Sequence, residues 1–253
     1  MDLKFSINGE KAPLILIHCA QSSSKIWQDN ISELSEYFKI ISYDLRGHGE
    51  SVSYDNSFIT IENHVEDLKK LVQKLKLQKY SLCGLSMGAL IAQEFYKKYK
   101  EPESIILISS PAYSIFGKNY LISSTLVFIL KFFIKLMNKT MIENIAISMF
   151  GYLSIQKKKF VLNEIQNCDK LTSKSDFLNI ISFTHIFSKR FKPINLEIIV
   201  GENDAKRVHK HANYFSKISG KPIIVIPNSG HLPNFENPSY FNKKIIELKG
   251  DYA

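Results

Sequence analysis

A serine between two glycines is the first feature of the sequence that indicates chemistry. Gly84-Leu85-Ser86-Met87-Gly88 has the G-x-S-x-G pattern; it follows the apolar run Tyr80–Cys83 and precedes a segment of helical period. A strand that passes directly into a helix needs a sharp turn, and the two glycines relieve the crowding around its central serine. The helix N-terminus beneath that serine favours developing negative charge. The pattern predicts Ser86 as a nucleophile, with a purely structural Gly/Ser turn as the alternative.

One of the seven histidines is placed in the chain where a base for this serine is expected. A serine hydroxyl becomes a nucleophile only beside a general base. His231 comes after the serine, in a loop that directly follows the last apolar strand. The competitors are less well placed: His64 falls in an amphipathic helix and is predicted at the surface, and His209 and His211 fall in a basic helix. We therefore predict His231 as the base.

The base needs an acid to orient it, and the chain order Ser, Asp or Glu, His places that acid in a loop after another strand. Asp204 follows the predicted strand Leu196–Val200 and is our choice, with Glu202 as the near competitor. The plain alternative is an exposed loop carboxylate. Because all three predicted residues follow strands, they should converge at the carboxyl edge of one sheet.

The elements that must position these residues are short buried strands in alternation with helices. Near-continuous apolar runs are typical of a parallel sheet covered on both faces, and the alternation predicts a doubly wound α/β fold with a mostly parallel sheet. An N-terminal hairpin is expected around Asn8-Gly9, and Thr60 is expected to cap a helix. The runs are Leu14–Ile17, Ile40–Tyr43, Tyr80–Cys83, Ser104–Ile108, Leu196–Val200 and Pro222–Ile226.

The alternation fails between Ala112 and Arg190, where helical stretches follow one another without a buried strand. We predict one domain, in which residues 1–111 and 191–253 form the catalytic core and residues 112–190 are inserted as a helical cap.

Composition excludes several classes of protein. The 253 residues are 45% hydrophobic and 12% aromatic, which argues against disorder. Three cysteines far apart cannot form a disulfide framework, and the first residues lack the apolar core of a signal peptide. The longest uncharged run of the most apolar stretch is too short to span a bilayer. A cytoplasmic protein without a transmembrane segment is the expectation.

The net charge of +9 is concentrated in the predicted insertion. Residues 1–111 carry 13 basic and 14 acidic groups, residues 112–190 carry 11 and 4, and residues 191–253 carry 9 and 6. The excess therefore bears on what approaches the cap rather than on the chemistry.

Several motifs in the same order resemble those of the α/β-hydrolase superfamily, over nearly the whole chain. Leu16–Ala20 with Trp27 resembles its His-Gly loop, Tyr43–Ser51 resembles its D-x-R-G-H-G-x-S loop, and Gly230–Pro233 with the Glu-Asn-Pro run after it resembles its C-terminal histidine segment. The similarity is to small, cap-bearing serine hydrolases, the branch of carboxylesterases, acyl-carrier methyl esterases, enol-lactonases and MenH-like enzymes.

The resemblance implies roles for further residues. The backbone amides of Ala20 and Met87 would form the oxyanion hole, and Gly84 and Gly88 would shape the nucleophile elbow. Cys19 stands where the family usually has glycine, which bears on the Ala20 amide if the position needs a left-handed backbone. The residues of the D-x-R-G-H-G loop would hold that loop by charge-assisted hydrogen bonds.

The function predicted on this basis is hydrolysis of a carboxylic ester through an acyl-enzyme, with no cofactor and no metal. A thioesterase, an enol-lactonase, a carbon–carbon bond hydrolase or a MenH-like lyase would use the same triad. A non-catalytic binding protein on the same fold is the alternative from another class.

The predicted cap carries an apolar stripe and two groups of lysines, which bear on its partners. An apolar stripe from Phe128 to Met137 lies beside Lys131 and Lys135, and a second basic cluster is formed by Lys157, Lys158 and Lys159. Cap core and a solvated face are the plain interpretations. The functional ones are an acyl pocket fed by an acidic acyl-carrier protein, or contact with an anionic lipid surface. Nucleic acid is not expected, since no recognition motif accompanies the lysines.

Overall fold

The computed structural model describes residues 3–51, 57–112, 120–148, 153–183 and 195–248. Part of the predicted cap, including His185, therefore lies outside the described residues. The strands of the described chain are β1 (Phe5–Asn8), β2 (Pro13–Ile17), β3 (Lys39–Tyr43), β4 (Ser81–Leu85), β5 (Ser104–Ile108), β6 (Leu196–Gly201) and β7 (Ile223–Ile226).

These strands form one sheet in the order β1-β3-β2-β4-β5-β6-β7, parallel except for β1. The predicted mostly parallel sheet is confirmed. The predicted N-terminal hairpin is wrong, because β1 pairs with β3 and not with its sequence neighbour β2. Both edges of β2 are already taken by β3 and β4, so β1 extends the sheet at the far side of β3.

Helices cover both faces of the sheet, as the doubly wound pattern requires. Helix α2 (Ile61–Lys74) begins after Thr60, whose side chain accepts a hydrogen bond from the Asn63 amide as the predicted N-cap. The helices outside the interval between β5 and β6 are α1 (Gln28–Leu34), α2 (Ile61–Lys74), α3 (Met87–Tyr99), α8 (Lys206–Ser219), α9 (Pro233–Glu236) and α10 (Pro238–Glu247).

Each face of the sheet packs its own apolar layer. On one face, side chains of α2, α3 and α8 pack against β-strand residues such as Ile17 and Leu107. On the other, side chains of α1 and α10 pack with Trp27 and Cys19. The two layers bury the sheet on both sides, which explains why its strands are apolar in nearly every position.

Among the described residues between β5 and β6 there are four helices: α4 (Tyr120–Leu136), α5 (Lys139–Ser148), α6 (Ile155–Asn167) and α7 (Lys170–Phe183). We call them the inserted helices. The expectation that the apolar stripe of α4 is core or pocket lining is wrong for Phe128, Phe132 and Leu136, which are 74%, 57% and 67% exposed. The helix packs inward through Val127 and Ile134 instead.

Candidate active site

The turn between β4 and α3 holds Ser86 in a strained backbone conformation. Its φ is 52° and its ψ is −109°, a region that non-glycine residues seldom adopt. A Cβ on Gly84 would lie 2.4 Å from the carbonyl oxygen of Gly88, and one on Gly88 would lie 2.3 Å from that of Ile17. The elbow therefore needs glycine at both positions, which is the reason for the G-x-S-x-G spacing.

Three of the residues singled out in the sequence form one hydrogen-bonded chain. The Nε2 atom of His231 lies 3.1 Å from the Oγ atom of Ser86. Its Nδ1 atom lies 3.1 and 3.2 Å from the two carboxylate oxygens of Asp204. With Nδ1 donating to the carboxylate, Nε2 is left unprotonated and can accept the proton of the serine hydroxyl.

Asp204, and not Glu202, is the carboxylate on His231. Burial alone would raise the pKa of Asp204, but the charge of His231 and its hydrogen bond hold that pKa below the ordinary value. Glu202 turns its carboxylate to the backbone amide of Asn228, at 2.9 Å. The Glu202 carboxylate therefore binds the backbone of the loop after β7, and Asp204 is the carboxylate that contacts His231.

The loop that carries His231 is held by a carboxylate that the sequence did not single out for a role. Glu236, at the end of α9, accepts hydrogen bonds from the backbone amides of Gly230 at 2.8 Å and Leu232 at 2.9 Å. These amides flank His231 on both sides. Lys157 of α6 donates to the carbonyl oxygens of Phe235 and Glu236. The histidine loop is thus tied to α9, and α9 to the inserted helices.

Glu236→Gln should lower kcat for a small ester by about 10- to 100-fold, because a displaced base costs rate even when every catalytic group is present. A glutamine side chain has one accepting oxygen for two amides, so the loop around His231 loosens. The measurement is steady-state hydrolysis of p-nitrophenyl acetate, with kcat and KM resolved separately.

Glu247→Gln is the matched control, since Glu247 pairs only with Lys244 on the described surface of α10. It should leave kcat unchanged. A kcat of Glu236→Gln equal to that of the wild type would show that the two amide contacts do not position His231.

The backbone after β2 is held on both sides of the Ala20 amide, the predicted oxyanion donor. His18 accepts a hydrogen bond from the Leu45 amide on Nε2 and therefore donates through Nδ1 to the carbonyl of Cys19, at 2.7 Å. Burial and the nearby charge of His48 lower the pKa of His18 to about 3, so the ring stays neutral. Because the peptide is trans, the N–H of Ala20 points away from that fixed carbonyl.

A carboxylate from the inserted helices holds the next residue of this loop. Asp176 of α7 accepts a hydrogen bond from the backbone amide of Gln21 at 2.8 Å, and its same oxygen lies 2.9 Å from Nε2 of His48. Gln21, with φ of 52°, is the left-handed residue here, whereas Cys19 is not among the described residues with positive φ. Cys19 therefore carries a side chain without backbone strain and packs in the core.

His48 links the loop after β3 to α7 through both of its ring nitrogens. Its Nδ1 faces the carbonyl of Arg46 and its Nε2 faces Asp176, so both nitrogens donate. Burial by itself would lower its pKa, but Asp176 raises it above the ordinary value. His48, Cys168 and Asp176 lie close enough to share a cation. A cation there would have to displace the proton between His48 and Asp176 and that of the Cys168 thiol, whose pKa burial raises.

A cavity of about 290 Å³ opens beside this cluster, lined by polar residues of the His48 loop, the Ser22–Ser23 turn and the end of α6. Ser86 and His231 are not among its lining residues. The cavity therefore lies at the junction between the core and the inserted helices and is distinct from the candidate active site.

The structure also revises the predictions made from the sequence for His64 and for the lysine cluster of α6. His64 is wrongly predicted at the surface: it is buried on α2, where it shares a face with Leu68, four residues on. Of the three lysines clustered on α6, Lys157 donates to the backbone carbonyl oxygens of Phe235 and Glu236. Only Lys158 and Lys159 are exposed.

Comparisons with known proteins found a matching family model, similar solved structures and similar sequences. The family model described as alpha/beta hydrolase fold matches residues 12–194. The esterase structure from Thermogutta terrifontis superposes with a TM-score of 0.78 at 22% identity, covering 99% of this chain and 94% of the esterase. An uncharacterised carboxylesterase of Bacillus subtilis is 22% identical over 93% of this chain and 78% of its own.

A more similar but shorter match is to 3-oxoadipate enol-lactonase 1 of Acinetobacter baylyi. It is 35% identical over 92 residues, which are 36% of this chain and 34% of the enol-lactonase. The alignment thus spans about a third of that relative.

Proposed function

Because the chain belongs to the alpha/beta hydrolase fold family, we propose that it is a serine hydrolase that cleaves a carboxylic ester through an acyl-enzyme. One observation carries the proposal: the hydrogen-bonded chain from Ser86 through His231 to Asp204, built on three loops at the carboxyl ends of strands. In open α/β sheets this edge is where ligands bind.

Acylation begins with the hydroxyl of Ser86. Its oxygen attacks the ester carbonyl while Nε2 of His231 takes the proton, and Asp204 stabilises the imidazolium that results. The amides of Met87 and Ala20 donate to the oxyanion. His231 then returns the proton to the leaving alkoxide, the carbon–oxygen bond breaks, and the acyl group stays on Ser86.

Deacylation repeats these steps with water as the nucleophile. His231 removes a proton from the water, the new tetrahedral intermediate uses the same two amides, and the proton returns to the oxygen of Ser86 as the acid leaves. All the groups for both halves of the reaction belong to this chain.

The substrate class we propose is an oxygen ester, open-chain or cyclic. The relatives named carboxylesterase and enol-lactonase support this choice, and an enol-lactone is an internal ester that the same steps would open. A serine at this position also argues against the family's dehalogenases and epoxide hydrolases, which would need aspartate as nucleophile.

The experiment is a panel with one acyl group and different leaving groups: p-nitrophenyl butyrate, butyryl thiocholine and butyryl p-nitroanilide. We expect the ester to have the highest kcat/KM and the anilide to resist hydrolysis. A folded protein that turns over none of the three would contradict the proposal and favour a binding protein on this fold. A preference for the thioester would change the substrate class to thioesters.

A further inference from the structure

The outer surface of α4 is apolar, although it faces away from the protein. Val127 and Ile134 are seven residues apart, on the side that is buried. Phe128, Phe132 and Leu136, spaced four apart, lie on the other side and are 74%, 57% and 67% exposed. A surface helix ordinarily turns polar residues outward, so this arrangement leaves a hydrophobic face without cover from the described chain.

Neighbouring residues enlarge the same face. Ile129 and Phe133 of α4 are 42% and 56% exposed. Exposed apolar groups that are scattered singly need no explanation, whereas a contiguous group of this kind marks an interaction surface. We call these five residues of α4, Phe128, Ile129, Phe132, Phe133 and Leu136, the apolar face.

The inserted helices carry an excess of basic residues. Residues 120–183 contain eight lysines and four acidic residues. Each of the four acids has a partner: Asp176 is buried with His48 and the Gln21 amide, Glu164 accepts from Ser23, Asp169 caps the start of α7, and Glu143 pairs with Lys139 on α5.

The lysines have a different placement. Lys131 and Lys135 are the charged residues of α4 itself, and each directly precedes a residue of the apolar face. The Lys135 ammonium lies 5.9 Å from the centroid of the Phe58 ring. Lys158 and Lys159 are exposed on α6. Long basic side chains at the edge of an apolar helix face keep their stems among apolar groups and their ammonium groups in the polar layer above.

We propose that the apolar face docks on an anionic lipid bilayer, with α4 lying in the plane of the interface. Phenylalanine and leucine side chains enter the boundary between headgroups and acyl chains, and the lysines contact lipid phosphates. In the described part of the chain no helix is both long enough and apolar enough to cross a membrane, so the contact is peripheral.

Charge is the reason for choosing a lipid surface over a second copy of the chain. A two-fold dimer through this face would bring the same patch of each copy together and so place lysine-flanked surfaces opposite one another. An anionic bilayer offers both an apolar layer and opposite charge. The proposal is independent of the proposed reaction, since none of the residues of the apolar face belongs to the candidate active site.

The test is cosedimentation with vesicles made of equal parts phosphatidylcholine and phosphatidylglycerol, and with vesicles of phosphatidylcholine alone. We expect the wild type to bind the mixed vesicles much more strongly, and Ser86→Ala to bind them equally well. Combined Phe128→Ser, Phe132→Ser and Leu136→Ser should weaken binding by about 100-fold, since three large apolar groups no longer leave water.

Two further variants separate the contributions. Lys131→Glu with Lys135→Glu should weaken binding to the mixed vesicles by about 10-fold or more. Combined Ile7→Ser, Ile218→Ser and Val225→Ser is the matched control, because these three aliphatic residues are 40%, 38% and 44% exposed on other elements. The control should bind like the wild type.

Failure of the wild type to bind the mixed vesicles would overturn the proposal. So would a wild type that is dimeric by sedimentation equilibrium and made monomeric by the triple serine substitution in α4, or one that captures an acidic acyl-carrier protein through this face in place of vesicles. Hydrolysis of a small soluble ester by the α4 variants shows that they are folded.

Discussion

Replacement of Ser86 by alanine is expected to lower kcat for p-nitrophenyl acetate by about 10⁵-fold or more, the scale on which loss of a serine nucleophile acts in triad enzymes. The reason is that the hydroxyl of Ser86 is the group hydrogen-bonded to Nε2 of His231, at 3.1 Å. The backbone strain at φ of 52° is the same for alanine as for serine, so thermal stability should stay close to that of the wild type.

Ser81→Ala is the matched control for this variant. Ser81 is a buried serine at the start of the same strand, β4, and its hydroxyl bonds that of Ser104 at 2.7 Å. Its loss should cost some stability and leave kcat intact. A Ser86→Ala protein with substantial ester hydrolysis would mean that another residue is the nucleophile.

Replacement of Asp204 by asparagine is expected to lower kcat by about 10⁴-fold. The carboxylate accepts the Nδ1 proton of His231 and so leaves Nε2 free to take a proton from Ser86. An asparagine side chain can turn its NH₂ group toward Nδ1, which then accepts and moves the ring proton to Nε2. The base is present but in the wrong tautomer.

Glu202→Gln distinguishes the two carboxylates that the loop after β6 offers. Glu202 contacts the Asn228 amide and not His231, so its substitution should leave kcat near the wild-type value. Raising the pH does not restore the lost tautomer, so we expect Asp204→Asn to stay slow across the neutral range. A larger loss in Glu202→Gln than in Asp204→Asn would reverse the assignment of the acid.

The residues of the candidate triad could be found in the sequence because each stands at a fixed place relative to a strand. Ser86 follows β4, Asp204 follows β6 and His231 follows β7. Parallel strands bring their carboxyl ends to one edge, so chain order and apolar runs sufficed to bring the three together. The left-handed turn at Ser86 was likewise encoded in the two flanking glycines.

The groups that hold the site could not be found in this way, since they act across elements whose packing the sequence does not specify. Asp176 reaches the Gln21 amide from an inserted helix 155 residues away in the chain. Glu236 was visible only as part of a family-like run, and its two contacts with Gly230 and Leu232 depend on how α9 folds back.

Two predictions from helical periodicity, about which side of a helix packs against the protein, are wrong for different reasons. His64 could have been placed in the core, because it is four residues from Leu68 on the buried face of α2. The stripe of α4 is a harder case. That helix is apolar on nearly all sides, so its sequence pattern does not tell which side packs against the protein. In the structure Val127 and Ile134 are buried, whereas Phe128 and Phe132 are exposed.

The most direct measurement for the central claim is covalent labelling with a fluorophosphonate, followed by mass spectrometry of the labelled peptide. We expect one equivalent of adduct on Ser86 in the wild type, none in Ser86→Ala, and a much slower reaction in Asp204→Asn, because the probe reacts only with a serine activated by its base. An unlabelled wild-type protein, or an adduct at any residue other than Ser86, would contradict the assignment of Ser86, His231 and Asp204 as the catalytic groups.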